Sequence, residues 1–557
     1  MRKGHASFTF VLLASALAMV GAACSSGGPN NATPSGGASV SASPQAGGTL
    51  TLTAQDDLTS LDNSQAVSPI DYEMTAGALY EGLYHMNHDG QVEPGLADGM
   101  PQVSSDGLTY TVKMKHGAMF AGPNFTPREV TATDAAYGMT RALDPNTKPA
   151  PSWGGYWLYP IQGALDFTNG KATSVSGIKV VDKYTLQITL SQRDTTFIYG
   201  LTNDTNWPVP KEAVEQRGLN FASEPVGAGP FYVKSWTKGQ SITLAKNPGY
   251  VDKGLPYLDQ ITVDLNVNPS TQVLRLQSGQ ADGLFEPFTM PQANIRQLIG
   301  DSSIVKEPTV GLATYFPSLN FQQLFANKDL RLAVAYAVTR DFTQQFGSTA
   351  KSYYQIYASE TPQYDPTEKF FPHDTTKAKQ ELQAGGYHGQ PVRMIYDLAD
   401  PYVSAMMVSL AQDLKAIGMN VQLKGLQESQ FFGNNGQNDP KSYDIVSNWW
   451  RYDYPDGEDY LASLFICDDV APPGLNLSRY CSKPVDALYN QSNSMPFGAA
   501  RDKVLQDAQR QLLGDVAAVP VMQVTPLQFF TSKVGDIPSL PTFAPFDWKL
   551  AWVKAGS

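Results

Sequence analysis

No Asp, Glu, Lys or Arg occurs between Phe8 and Gly48, and this charge-free head decides how much of the chain is available to fold. Its first part, Phe8 to Ala23, follows Arg2 and Lys3 and is apolar but too short for a comfortable membrane span, which is the pattern of a signal-peptide core. Its second part, Ser25 to Gly48, is almost entirely Ser, Gly, Pro, Ala, Asn and Thr. Such a composition cannot bury a core and predicts a flexible tether, with a reach on the order of 25 to 30 Å. The rest of the 557-residue chain is too long to close around one hydrophobic core, so two or three lobes are expected.

The head ends in Gly21-Ala22-Ala23-Cys24. Small residues before a cysteine resemble the bacterial lipoprotein signal, in which the cysteine is diacylated and becomes the mature N-terminus. That makes residues 1–23 a signal peptide and 24–45 a lipidated Cys24 with its linker. An ordinary secretory signal is the alternative, and the tether that follows favours the anchor. Export also bears on Cys467 and Cys481, the two remaining cysteines. In an oxidising compartment an even pair is expected to form a disulfide, because a metal site would want further Cys or His at ligand spacing. Closing a loop of this size stabilises the fold by about 3 kcal/mol on the chain-entropy model.

A formal net charge of -12 and the lack of any Lys/Arg block disfavour nucleic acid as a partner. No G-x-S-x-G, H-E-x-x-H or P-loop run occurs, so no hydrolase or NTPase centre announces itself. Ser235–Lys238 and Ser348–Lys351 match S-x-x-K without an accompanying K-T-G and read as chance. His85 and His88 flank Asp89-Gly90; a solvated turn accounts for them better than a metal pair. Neither a cofactor nor a metal is expected.

Local patterns give mixed α and β. Gly47 to Leu52, Leu108 to Met114, Tyr184 to Leu190 and Ser241 to Ala245 alternate as strands, with a turn at Asp106-Gly107. Thr131 with Asp134 predicts a helix N-terminus running through Arg141, and Asp374 another that ends at Gly385-Gly386. Apolar residues at Val403, Met406, Met407, Leu410, Leu414 and Ile417 predict a helix up to Gly418, followed by a strand at Val421 to Leu423.

The run Asn448-Trp449-Trp450-Arg451-Tyr452-Asp453-Tyr454-Pro455-Asp456-Gly457 has the composition of a binding site. Tyr443 to Ser447 alternates as a half-buried strand and Pro455 stops regular structure, so the cluster belongs at a strand end. A carboxylate held among aromatic walls loses hydration, and it needs a cation or several donors to stay ionised there. A ligand ammonium can be that cation. Equally compatible with the composition is a packing role, with Trp449 and Trp450 in the core and Asp453 capping the loop.

Several blocks appear in order: Glu93-Pro94-Gly95-Leu96-Ala97, Ser105 to Tyr110, Thr131 to Asp134, Pro225-Val226-Gly227-Ala228-Gly229-Pro230-Phe231, Asn247-Pro248-Gly249-Tyr250, Leu276 to Asp282 and Asn327 to Ala333. Together they resemble the family 5 solute-binding proteins of bacterial ABC importers, the oligopeptide, dipeptide and nickel binders, over about residues 46 to 557. Thr339-Arg340, where the family usually has Asp-Arg, and Pro123 depart from the pattern away from the expected site.

The resemblance implies a mixed α/β, two-lobed periplasmic-binding-protein type II-like fold with an extra small lobe and a hinge of crossing strands. Lobe I is then expected from 46–76, 175–310 and 521–557, the small lobe II from 77–174 and lobe III from 311–520. Crossings are expected near Gly311 to Asn320 and Val519 to Gln523. The run Trp450 to Tyr454 is similar to the peptide-binder pattern in which the Asp pairs with the ligand α-ammonium, a role that falls on Asp453. Trp449, Trp450, Tyr452 and Tyr454 are the accompanying ligand-binding candidates. Tyr315 lies in the segment resembling the hinge strand, whose backbone can pair with an extended peptide.

The function implied is that of a monomeric, lipid-anchored receptor on the extracytoplasmic face of the cell membrane, which hands peptide to a permease served by separate ATPase subunits. A non-peptide solute such as an oligosaccharide or a metal chelate is the alternative within the fold. A cell-envelope hydrolase, or a structural or signalling lipoprotein, is the alternative outside it.

Overall fold

The computed structural model describes residues 43–554 except 67, 286–289, 434–435, 471–473, 536 and 542–545. The segment expected to be a signal peptide, Cys24 and nearly all of the expected linker lie outside the described residues. The architecture below is that of the compact unit Pro44–Ser557.

Thr49–Thr53 alternates Thr and Leu, and Leu50 and Leu52 are wholly buried, so the strand enters the centre of a seven-stranded sheet. It pairs in parallel with Gln260–Asp264 on one side and Gly283–Leu284 on the other. Phe231–Thr237 and Ser241–Lys246 extend one edge, and Leu527–Thr531 and Ile304–Pro308 the other.

A four-stranded sheet packs into the same hydrophobic core. Its Thr109–Lys113 strand follows the turn at Asp106-Gly107, where Gly107 has φ +74° and Asp106 Oδ1 accepts the Leu108 N–H at 3.0 Å. Thr109–Lys113 pairs with Thr185–Thr189, which in turn pairs with Ile178–Asp182. The boundary expected at residue 174/175 is therefore corrected. Leu186 and Ile188, wholly buried, face the same core as Tyr110 and Val112, and hydrophobic matching keeps these strands with the small sheet. The helix Ala132–Leu143 opens on the Thr131/Asp134 capping box. Near its far end Arg141 donates from Nη1 to Asp62 Oδ1 at 2.8 Å, both groups buried, and ties the helix to the segment after the first strand.

The second large sheet has six strands in the order Ala350–Ser352, Met522–Val524, Ala313–Leu319, Ile445–Arg451, Pro391–Asp397 and Asn420–Leu426. It has its own core, to which the helix Pro401–Ile417 contributes Val403, Met406, Met407, Leu410, Leu414 and Ile417. That helix is capped by Asp400 and ends at Gly418, whose φ of 106° only glycine adopts readily.

Two chain crossings join the large sheets. Ile304–Pro308 belongs to the first and Ala313–Leu319 to the second; Met522–Val524 belongs to the second and Leu527–Thr531 to the first. The chain thus changes sheet at 309–312 and again at 525–526, and Thr309 N–H donates to Pro526 O at 3.0 Å between the crossings. The expected segment Gly311 to Asn320 meets the first crossing at 311–312 and then runs along a second-sheet strand, whereas Val519 to Gln523 stops short of the second crossing. The boundary expected at residue 521 leaves the second-sheet strand Met522–Val524 on the wrong side. Alternation alone does not say which sheet a strand joins. In the first crossing Gly311 has φ +81°, a conformation that favours glycine, and a Cβ there would press on the Arg451 guanidinium at 2.9 Å.

Candidate functional site

The strand Ile445–Arg451 is paired along its whole length with Ala313–Leu319 on one edge. On its other edge Pro391–Asp397 reaches only Ile445 and Val446. From Ser447 to Arg451 that second edge has no strand partner among the described residues. The Trp449 N–H, lacking a ladder acceptor there, donates to the side-chain Oδ1 of its neighbour Asn448 at 2.9 Å. An open strand edge is a template for an extended chain.

Tyr315 does not supply such an edge. Its strand is flanked by Ile445–Arg451 on one side and Met522–Val524 on the other, and its carbonyl already accepts the Val521 N–H at 3.0 Å. The Tyr315 strand therefore has no free edge at this position for the added strand expected there. The Tyr315 ring instead stacks on Trp449, with centroids 5.9 Å apart and planes 20° apart, and its hydroxyl donates to Asp400 Oδ2 at 3.1 Å.

The aromatic candidates divide by the strand's period of two. Trp449 is 39% exposed. Trp450, on the other face, packs against the second core and donates from Nε1 to Asp459 Oδ2 at 2.6 Å. Tyr452 and Tyr454 are buried, and their hydroxyls donate to Glu360 and Glu458. Trp450, Tyr452 and Tyr454 are thus each held by a carboxyl group of the surrounding fold. Tyr454 also stacks on Tyr199 at 4.7 Å and meets Trp157 edge-on at 5.5 Å, which fixes two side chains contributed by the other half of the chain.

Asp453 ends this segment. Its N–H donates to Asp459 Oδ2 at 3.3 Å. Burial pushes its carboxyl up to about 7, against the pull of the Arg451 guanidinium and a hydrogen bond from the Tyr156 hydroxyl. Asp459 is pushed well up too, by burial and then by the charge of Asp453, while the Trp450 N–H pulls the other way. Just beyond, Asp456 caps the helix Gly457–Leu464 and pairs with the fully buried Arg501, Nη1 to Oδ2 at 2.6 Å, which anchors the loop carrying Asp453.

Asp453 opens on a cavity of about 80 Å³. Five aromatic side chains wall it: Tyr72, Trp153, Trp157, Tyr199 and Trp207. Asp204, only 3% exposed, lies on the same cavity, and its Oδ2 accepts the Thr75 hydroxyl at 2.7 Å. Burial raises this carboxyl to about 7 as well. Its lining also includes His85 but, among the described residues, no lysine or arginine, and the two carboxyls of Asp453 and Asp204 with the aromatic faces favour a cation. The two halves of the chain also meet at Thr195, whose N–H donates to Asn493 O at 3.0 Å and whose Oγ1 donates to Met495 O at 2.6 Å.

Sequence reasoning missed Asp204 and the walls from Tyr72, Trp153, Trp157, Tyr199 and Trp207. The clustered aromatics of Trp153-Gly154-Gly155-Tyr156-Trp157 were the available signal. His85 and His88 have separate partners. His85 lies within 3.2 Å of both Glu81 Oε1 and Lys549 Nζ, and His88 Nδ1 lies 2.8 Å from Ser539 O. No metal-ligating group of three occurs among the described residues. Cys467 and Cys481 are disulfide-bonded, with Cα atoms 4.5 Å apart.

The chain resembles known proteins over most of its length. It is 26% identical over 460 residues to the periplasmic oligopeptide-binding protein OppA of Escherichia coli, covering 80% of this chain and 81% of that protein. It is 25% identical over 424 residues to the glutathione-binding protein GsiB of Salmonella paratyphi A, covering 74% and 77%. In structure it resembles the periplasmic binding protein DppA of Helicobacter pylori, solved with the peptide STSA, with a TM-score of 0.76, 23% identity and coverage of 91% and 98%. The two-lobed α/β fold of these binding proteins is therefore the fold of this chain. Residues 91–472 match the model of the bacterial extracellular solute-binding proteins, family 5 middle region, and the chain belongs to that family.

Proposed function

We propose that this solute-binding protein takes peptides, that Asp453 receives the ligand α-ammonium, and that the peptide backbone pairs along the open edge from Ser447 to Arg451. The observation that carries this reading is the continuity of the two features. An unpaired strand edge runs straight to a carboxylate in an aromatic-walled cavity that has no lysine or arginine in its lining. An extended peptide supplies donors and acceptors for the edge, and its ammonium adds to the pull that Arg451 already exerts on the carboxylate. The oligopeptide-binding relative and the peptide-bound structural neighbour support it.

Closure follows from the hinge. A ligand that touches both halves only in the closed form binds that form more tightly, and it shifts the population towards it. The closed receptor then delivers its cargo to a membrane permease whose ATPase subunits are separate chains. A monomer held at the extracytoplasmic face by lipid on Cys24 suits this role, and the lipoprotein-like signal with its tether supports the anchor. Binding without turnover distinguishes this receptor from a cell-envelope hydrolase.

Calorimetry with matched free and N-acetylated peptides tests the reading. Free peptides should bind far more tightly. Equal affinity for both would remove the ammonium role and favour a non-peptide solute.

A further inference from the structure

A second cavity, of about 160 Å³, lies beside the Ser447–Trp449 stretch of the open edge. It follows the edge as far as Arg451, and carbon from Phe431, Phe432, Trp449, Leu475 and Leu477 dominates its lining, with Asp397, Gln437 and Arg451 as polar members. Three of these keep unusual exposure for large apolar side chains: Phe432 at 52%, Leu475 at 46% and Trp449 at 39%. Scattered exposed apolar residues are ordinary, but several facing one cavity mark a binding surface.

Strand geometry says what the cavity faces. Tyr315 and Trp449 are direct cross-strand partners whose rings stack on one face of the sheet. Tyr315 is held by its hydrogen bond to Asp400, the cap of the helix Pro401–Ile417, so the Trp449 ring rests on a fixed support. An added strand on the open edge would set one of its residues opposite Trp449, on the same face, because directly paired residues share a face. That residue would be the third rung of an aromatic ladder, with its side chain over the cavity. Trp449 precedes Asp453 by four residues, at most about 13 Å, and the chain bends after the strand ends at Arg451, so the peptide residue opposite Trp449 is the third or fourth when the ammonium sits at Asp453. A cavity of about 150 Å³ with apolar walls is large enough for benzene.

Resting on the peptide reading above, we propose that this cavity is a side-chain subsite for an aromatic residue at the third or fourth position of the bound peptide, which completes the ladder Tyr315–Trp449–ligand. The Asn448 side chain, which satisfies the Trp449 N–H in the absence of ligand, gives way to the peptide carbonyl.

The test is a positional scan: pentaalanine and its five single-phenylalanine variants, all with free N-termini, titrated into the full mature protein. Phenylalanine at position three or four should tighten binding roughly ten- to hundredfold over pentaalanine, the worth of burying one such side chain. Phenylalanine elsewhere should matter little. Trp449→Ala, and separately the surface change Phe432→Ala, should each collapse the ratio between the phenylalanine peptide and pentaalanine. A flat scan, or variants that leave the ratio intact, would overturn the subsite. A flat scan in which N-acetylation still abolishes binding leaves the peptide reading standing while the subsite falls. Failure of every pentapeptide to bind removes both.

Discussion

Asp204 and Asp453 come from opposite halves of the chain and line one aromatic-walled cavity, with burial raising both carboxyls to about 7. The two are not equivalent. Asp453 terminates the open strand edge, whereas Asp204 is bonded to Thr75 within its own half. In Asp453→Asn the shape stays and the charge goes, leaving a ligand ammonium buried without its counter-ion. Breaking one side of such a pair costs about 3 to 5 kcal/mol, so peptide affinity should fall at least about a hundredfold by calorimetry. Asp204→Asn should weaken binding much less. Unchanged affinity in Asp453→Asn would show that the ammonium lies elsewhere.

The raised carboxyls set a pH dependence. A buried acid with a folded value near 7, against about 3.8 unfolded, binds more protons in the folded state across that interval. Stability without ligand therefore falls as pH rises from about 4 to 7 and levels off above. Calorimetric Tm should accordingly rise when the ligand-free protein is moved from pH 8 to pH 5.5, and less so in Asp453→Asn. A cationic ligand reverses the balance at the Asp453–Asp459 pair, because it favours the ionised form. Binding near pH 6 should then release protons, visible as a buffer-dependent enthalpy, and affinity should strengthen as pH approaches 7. Buffer-independent enthalpy at pH 6 would show that the pair is already ionised or takes no cation.

Much of this was legible in the sequence for physical reasons. Thr49–Thr53, Thr109–Lys113 and the helix Pro401–Ile417 follow from alternation and spacing, since one buried face imposes a period. The strand that leads to Asp453 was legible from its alternation up to Ser447, but which of its aromatic side chains are exposed was not: Trp449 is, whereas Tyr452 and Tyr454 are buried. Partner choice was not legible. Thr185–Thr189 alternates like any half-buried strand, and nothing in it says that it joins the small sheet. The open edge likewise belongs to Ile445–Arg451 rather than to the Tyr315 strand because Met522–Val524, more than two hundred positions later in the numbering, covers the latter. Asp204 escaped notice for the same reason: its cavity exists only when distant segments meet.

Arg501 and Asp456 are buried against each other beneath the Asp453 loop, and Gln363 Oε1 accepts the Gly457 N–H beside them at 2.8 Å. Arg501→Met should destabilise the protein by about 3 to 5 kcal/mol in urea unfolding, since Asp456 would keep a buried charge without a partner. Adding Asp456→Asn should recover part of that loss. A double variant no better than the single one would mean that the guanidinium acts through packing or its bond to Ser492 O rather than through the pair.

Cys24 follows Gly21-Ala22-Ala23 and precedes a charge-free tether. Cys24→Ser should release protein to the surrounding medium or leave an unprocessed precursor, as read by fractionation and mass spectrometry. Normal processing with full membrane retention would remove the lipid assignment.

The disulfide between Cys467 and Cys481 closes the segment that follows the Gly457–Leu464 helix, and Leu475 and Leu477 of the second cavity, beside the open edge, lie inside that loop. Opening it should therefore act in two places. Global stability should drop by about 3 kcal/mol, from the loop-closure entropy returned to the unfolded chain. Binding should also lose its side-chain preference before it loses its ammonium requirement, because Asp453 is anchored by Asp456 and Arg501 while Leu475 and Leu477 depend on the closed loop. The double variant Cys467→Ser/Cys481→Ser, titrated with pentaalanine and with the phenylalanine peptide, separates the two effects. A fall in stability with the phenylalanine preference intact would show that the cavity wall holds without the bridge. Free thiols found by non-reducing peptide mapping of the secreted protein would show that the bridge does not form in the cell.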